Sequence, residues 1–287
     1  MFVTLIGTLN PHELSSVATG TADWISTEVG PVDRRVVEDL RTFGLDQAPV
    51  YSAGRDRLLG VVSFERLQEL FYAQLPLEAS EPELNDPDVF LVATPFVTCV
   101  ALFQALATRR AVIVMDYSPS GKIAGPLKPE GLLTLSDLNR HIIRGSIYSI
   151  FAELESRLAR EIDREFDEPW HWIQMLGEDH QVRILGSWDL TRRRGVDVGP
   201  TSAATLAQLL QVSARCKPLL DRLGYPSRKA FEDATGSLAL LRNSVMHPVR
   251  PLVLGPTDVT RAHRSLTNAT DLYARLEKVS LTRRGAA

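Results

Sequence analysis

Cysteine is almost missing from this chain: Cys99 and Cys216 are the only two in 287 residues. They stand far apart, with no metal-ligand spacing to any histidine, which excludes a disulfide scaffold and a thiolate zinc centre. Reduced thiols of this kind point to a cytoplasmic protein. Walker loop, Gly-x-Ser-x-Gly, His-Glu-x-x-His and Cys-x-x-Cys motifs are absent too, which argues against an NTPase, a serine hydrolase and a zinc enzyme. Positive charge is not in excess: the formal net charge is −3, so there is no general electrostatic footprint for nucleic acid and any such contact has to be local. The opening Met1–Ile6 lacks a basic n-region, so a signal peptide is not expected; it reads as a strand or a tucked-in terminus.

Charge is also absent over the twenty residues from Val89 to Thr108, the length of a membrane span. Thr94, Pro95, Thr98, Gln104 and Thr108 weaken that reading. The pattern changes from strand-like Val89–Val92 to helix-like Cys99–Phe103, so a strand, a turn and a buried helix are expected instead.

What is present is an ordinary globular composition, 44% hydrophobic and 23% charged, long enough for two modest domains. Residues 1–144 hold 12 Lys+Arg against 18 Asp+Glu, whereas residues 145–287 hold 20 against 17. The pattern changes at the same place. In the first half one order of elements occurs twice: helix Val36–Phe43, strand Ala48–Tyr51, turn Gly54–Asp56, return strand Leu58–Ser63 and helix Glu65–Tyr72. The second copy reads as helix Val100–Ala107, strand Ala111–Asp116, turn Ser118–Gly121 and return Gly131–Leu138 into a last helix. The first strands are offset by 63 residues and Gly60 from Gly131 by 71, so about eight residues are inserted, with 125–130 the obvious candidate.

This tandem β-α-β-β-α unit resembles the CBS domain pair (Bateman module) over roughly residues 14–142, with repeats at about 14–75 and 85–144. Gly131 through Leu138 follows the family's Gly-h-h-Thr-x-Ser-Asp-Leu step throughout. The resemblance implies an adenosine nucleotide or S-adenosylmethionine as regulatory ligand, with Asp137 accepting from ribose hydroxyls and Thr134 near the phosphates. The first copy has Arg66 at the position of Asp137, so one site per chain is expected. The same residues also make good N-capping chemistry for a helix beginning there.

After residue 144 the pattern is helical. Ile147, Ile150, Phe151, Leu154, Leu158 and Ile162 mark one long amphipathic helix. Further helices are expected at Trp170–Leu176, Thr201–Leu223, Arg228–His247 and Thr257–Val279, giving an all-α domain of four or five. Near the end of the fourth long one stands Leu240-Leu241-Arg242-Asn243-Ser244-Val245-Met246-His247-Pro248. An Arg five places before a His is expected about 0.6 times by chance in this composition, and with Asn directly after the Arg on the order of 0.01 times.

The segment resembles the Arg-x4-His signature of HEPN domains, over residues 145–287. Those are helical bundles, usually dimers, and many are metal-independent endoribonucleases of toxin or anti-phage systems. The resemblance implies that His247 takes the proton of a ribose 2′-hydroxyl, Arg242 neutralises the phosphorane and Asn243 orients phosphate or imidazole, with no cofactor for catalysis. The family's AMPylated variant has Tyr where this chain has Val249. The alternative is that His247 and Arg242 cap a helix C-terminus.

Arg192-Arg193-Arg194 is a candidate RNA contact, set against a solvated loop, and Glu178-Asp179-His180 is too local to converge on a metal. Trp170, His171 and Trp172 read as core and rim. The expectation is an α+β protein in which a CBS-like pair (1–144) precedes a HEPN-like bundle (145–287). It would be a cytoplasmic homodimer off the membrane, acting on RNA under ligand control. The alternative is a non-catalytic ligand-sensing or scaffold protein whose helical half dimerises or holds a partner.

Overall fold

Asp33 and Ser63 set where the first two helices begin, because each offers a side-chain oxygen to an orphan amide of the first turn, Arg35 N–H and Arg66 N–H respectively. The computed structural model describes residues 8–9, 16, 18–82, 84, 97–109, 111–115 and 129–284. In chain order it gives β1 (Thr8–Leu9), β2 (Thr19–Gly20), β3 (Thr27–Glu28), α1 (Arg34–Phe43), β4 (Gln47–Tyr51), β5 (Leu58–Ser63), α2 (Phe64–Ala73), β6 (Val97–Thr98), α3 (Cys99–Thr108), β7 (Val112–Met115) and β8 (Pro129–Leu133). A 3-10 turn, Ser136–Asn139, follows. Then come α4 (His141–Glu165), α5 (Pro169–Ile173), α6 (Glu178–Arg193), α7 (Leu206–Arg215), α8 (Lys217–Arg222), α9 (Arg228–Thr235), α10 (Leu238–Met246) and α11 (Pro256–Arg284).

The protein is mixed α+β, and its described residues divide into two compact units. One, rich in β-structure, holds residues 8–143 and 252–260; the other, helical, holds residues 144–251 and 261–284. No helix among the described residues is long and apolar enough to cross a membrane.

Within the β-rich unit the duplication has a common register. In the first sheet β3 runs parallel to β4 and β4 antiparallel to β5; in the second, β8 is flanked by β2 and β7, antiparallel to both. Gly60 pairs with Val50 and Gly131 with Val114, and each ladder slips directly after that pair, so that Tyr51 faces Leu58 and Met115 faces Pro129. Matched this way, the first strands lie 64 residues apart and the second strands 71. The expected offset of 63 is therefore one residue short. Pro129 and Glu130 belong to β8 rather than to an insertion. Met1–Ile6, strand Val89–Val92, turn Ser118–Gly121 and residues 125–128 lie outside the described residues.

Both glycines are required by close approach. A Cβ at Gly131 would lie 2.6 Å from the Ala18 Cβ, and one at Gly60 2.9 Å from the Leu84 carbonyl oxygen. We expect Gly131→Ala to lower stability by about 1–3 kcal/mol, the usual cost of overpacking. An unchanged urea midpoint would contradict it. Beside these strands Leu40, Val50, Val62, Leu67 and Leu70 form the core of the first copy. Val61 of the first copy meets Ala111, Ile113 and Leu132 of the second.

In the helical unit every position of the α4 stripe, Ile147 through Ile162, is buried, as its spacing requires. Elsewhere the segmentation is finer than the sequence suggested. Pro218 has no N–H for the Ala214 carbonyl, so the expected helix Thr201–Leu223 ends at Arg215 and restarts as α8. It also begins late, because Thr205 and Gln208 form a capping box that starts α7. The expected Arg228–His247 helix divides at Gly236 and Ser237 into α9 and α10. Likewise, the last helix of the second copy is a 3-10 turn followed directly by α4.

Candidate functional site

Helix α10 buries Leu238, Leu241 and Val245 and turns its other side to solvent. Asn243 lies on that exposed side, and His247 is the residue that ends the helix, also exposed. The i, i+4 spacing places the two on one face, one turn apart. Arg242 is half-buried on the flank, where its Nε donates to Glu155 Oε1 of α4 at 2.9 Å. Sequence reasoning missed Glu155. Its carboxylate engages the guanidinium at Nε. Leu240, Met246 and Val249 are exposed apolar side chains on the same stretch.

The helix end is closed from a distant part of the chain, by Arg144. Ser244's carbonyl would bond to the amide of residue 248, which is Pro248 and has none. Arg144 Nη1 donates there instead, at 2.8 Å, and to the Val245 carbonyl at 3.4 Å. Neither His247 nor Arg242 supplies that cap, although His247 does occupy the cap position.

At the second candidate site Thr134 and Asp137 come together around the 3-10 turn. Asp137 is buried, and its Oδ2 accepts from the Thr134 amide (2.8 Å) and hydroxyl (3.2 Å). Its Oδ1 accepts from Arg140 Nε at 2.9 Å. Both oxygens thus already have protein partners, and the carboxylate acts as an internal cap. Ser136 bonds the Thr134 hydroxyl at 2.8 Å. In the first copy Arg66 takes the matching place and pairs with Glu81 (2.9 Å) and Glu69 (3.0 Å).

Arg192 and Arg193 belong to the last turn of α6 and Arg194 is the turn residue that caps it, so two of the three are helical. All three are exposed; Arg192 stacks over Trp188, 5.2 Å from the ring centroid, and Arg193 pairs with Asp189 at 2.8 Å. At the other end of α6, Glu178 and Asp179 sit in the first turn and His180 Nδ1 accepts from Gln208 Nε2 at 3.0 Å. Among the described residues no His, Cys, Asp and Glu group could hold a metal ion. Trp172 is buried, while Trp170 and His171 are exposed. Cys99 and Cys216 are both buried thiols outside any disulfide, and burial pushes the Cys216 thiol's pKa up.

No protein-family model matches the chain, and no curated protein matches it. Among solved structures it is similar to a conserved domain of unknown function from Neisseria meningitidis MC58, at 16% identity and a TM-score of 0.32, over 46% of this chain and 78% of that one. It is also similar to the CBS domain of a bacterial CNNM/CorC-family Mg2+ transporter in complex with ATP, at 18% identity and a TM-score of 0.30, over 46% of this chain and 87% of that one. These likenesses are weak, and the functional reading rests on the side chains above.

Proposed function

We propose that the chain is a ligand-responsive endoribonuclease of the toxin or anti-phage type, acting in the cytoplasm as a homodimer and needing no metal. The observation that carries the reading is the placement of Asn243 and His247 on the open face of one helix end, with Arg242 beside them held at a single edge by Glu155. His247 takes the proton of the ribose 2′-hydroxyl, and the 2′-oxygen attacks phosphorus. Arg242 stabilises the phosphorane and Asn243 orients the phosphate or the imidazole. The 5′-oxygen leaves with a proton from the second copy's histidine, and a 2′,3′-cyclic phosphate remains. Exposed Leu240, Met246 and Val249 support a surface that a second copy covers. Arg192, Arg193 and Arg194 supply a local positive contact for RNA. Mixed RNA incubated with the purified chain in EDTA is expected to be cut.

The regulatory ligand on this reading is an adenosine nucleotide or S-adenosylmethionine, held by Thr134 and Asp137. Calorimetry with ATP, ADP, AMP and S-adenosylmethionine is expected to give one site per chain, and Asp137→Ala to weaken it by about 1.5–3 kcal/mol, the range for hydrogen bonds to a charged group. Two equal sites would contradict the assignment of Arg66. One observation favours a second reading, a non-catalytic ligand-sensing or scaffold protein. Arg242 and Asp137 both already have protein partners of opposite charge. RNA left intact in EDTA would support it.

A further inference from the structure

Two polar side chains near the start of α4 have no place in the reading so far. Arg144 is only 6% exposed, and burial lowers its pKa. A guanidinium is seldom buried unless its donors are met. Here Nη1 serves Ser244 and Val245, the carbonyls just before His247, and Nη2 donates to the carbonyl of Arg250, just after it. One rigid fork therefore joins the helix end to the turn beyond it, which a single ammonium could not do. The turn is closed by the Arg250 amide donating to the His247 carbonyl at 3.1 Å.

Asn139 holds the chain that follows. Within the β-rich unit its Oδ1 accepts from the amides of Leu252 (2.6 Å) and Val253 (3.0 Å), and its Nδ2 donates to the Val253 carbonyl at 3.0 Å. Val253 is buried there. Arg144 thus holds the main chain at Ser244, Val245 and Arg250 within the helical unit, and Asn139 holds Leu252 and Val253 within the β-rich unit. Neither Arg144 nor Asn139 has been placed in contact with substrate.

We propose that Arg144 is a positioning residue for His247, setting the imidazole's place at the end of α10, with Asn139 securing the chain beyond it. This rests on the ribonuclease reading of His247 for its effect on rate, but not for its effect on the turn. The test is amide exchange followed by NMR, with steady-state RNA cleavage on the same samples. Arg144→Lys keeps the charge and loses the bridge, so exchange at the Arg250 amide is expected to rise about ten-fold or more. The His247 ring resonances should shift, and kcat should fall about 10–100-fold with KM unchanged, as for a misplaced catalytic group. Arg250 exchange and His247 resonances as in the wild type would overturn the proposal. So would an equal loss in KM and kcat with no change at His247.

Should the variant not fold, the wild type still decides. Arg144's own guanidinium protons should exchange far more slowly than those of exposed Arg194, and equal rates would overturn the clamp. A wild type that leaves RNA intact while the exchange data come out as expected would remove the ribonuclease reading and leave the clamp standing.

Discussion

His247→Ala is expected to lower RNA cleavage by about 10²–10⁴, the range for loss of a general acid–base group. The substitution should leave stability nearly untouched, because His247 is exposed and its side chain is not what closes the helix: Arg144 meets the carbonyls there. The two effects therefore separate cleanly in one experiment, with rate measured at saturating protein and folding followed by circular dichroism. Arg242→Ala should also reduce cleavage, but its loss leaves Glu155 without that partner, so a modest stability change accompanies it. A His247→Ala protein that cuts as fast as wild type would remove the histidine from the chemistry. Full activity in Arg242→Ala would remove the phosphate role.

Trp172→Ala is expected to cost about 3–5 kcal/mol of stability, the range for deleting a fully buried aromatic side chain. Trp172 is 1% exposed, in a five-residue helix that Pro169 begins and that cannot hold itself without tertiary packing. Ile173 and Leu176, buried beside it in sequence, give the segment its only other anchors in the core. The loss belongs to the helical unit, so unfolding followed by helical circular dichroism should shift while the Gly131→Ala lesion reports on the β-rich unit. Trp170→Ala, at 48% exposed, is the control and should change little. Equal effects from both would contradict the placing of Trp172 in the core and Trp170 at the rim.

The duplicated hairpin and the long α4 stripe were readable in the sequence because each leaves a period. The same order of elements recurs with Gly60 and Gly131 at matching places in the return strands, and the apolar positions from Ile147 to Ile162 recur every three or four residues. Helix α6 was missed for the opposite reason: only Ile184 in it is buried, and Val182 and Leu190 are exposed, so no apolar stripe marks it. Its signals were electrostatic, Glu178 and Asp179 in the first turn and Arg192 and Arg193 in the last. The breaks at Cys216 and Gly236 were signalled by Pro218 and by the glycine itself, but the apolar periodicity continues through both.

At the candidate site, Arg242, Asn243 and His247 were found through a short motif. Glu155 and Arg144 were not, because each acts on residues about 90–100 positions away, a separation no local pattern records. Pro248 was the available hint for Arg144: a proline following a helix leaves a carbonyl that something else must satisfy. At the other site the Gly131–Leu138 step was readable, but not that Asp137 would be engaged by both Thr134 and Arg140.

The central claim is that His247 and its neighbours cut RNA through the ribose 2′-hydroxyl without a metal. The most direct test is to incubate wild-type protein in EDTA with a synthetic RNA and with its fully 2′-O-methylated counterpart, and to read the product ends by mass spectrometry. The account predicts that the RNA is cut to fragments ending in 2′,3′-cyclic phosphate and that the methylated strand stays whole. Intact RNA, or cleavage of both strands alike, would contradict it.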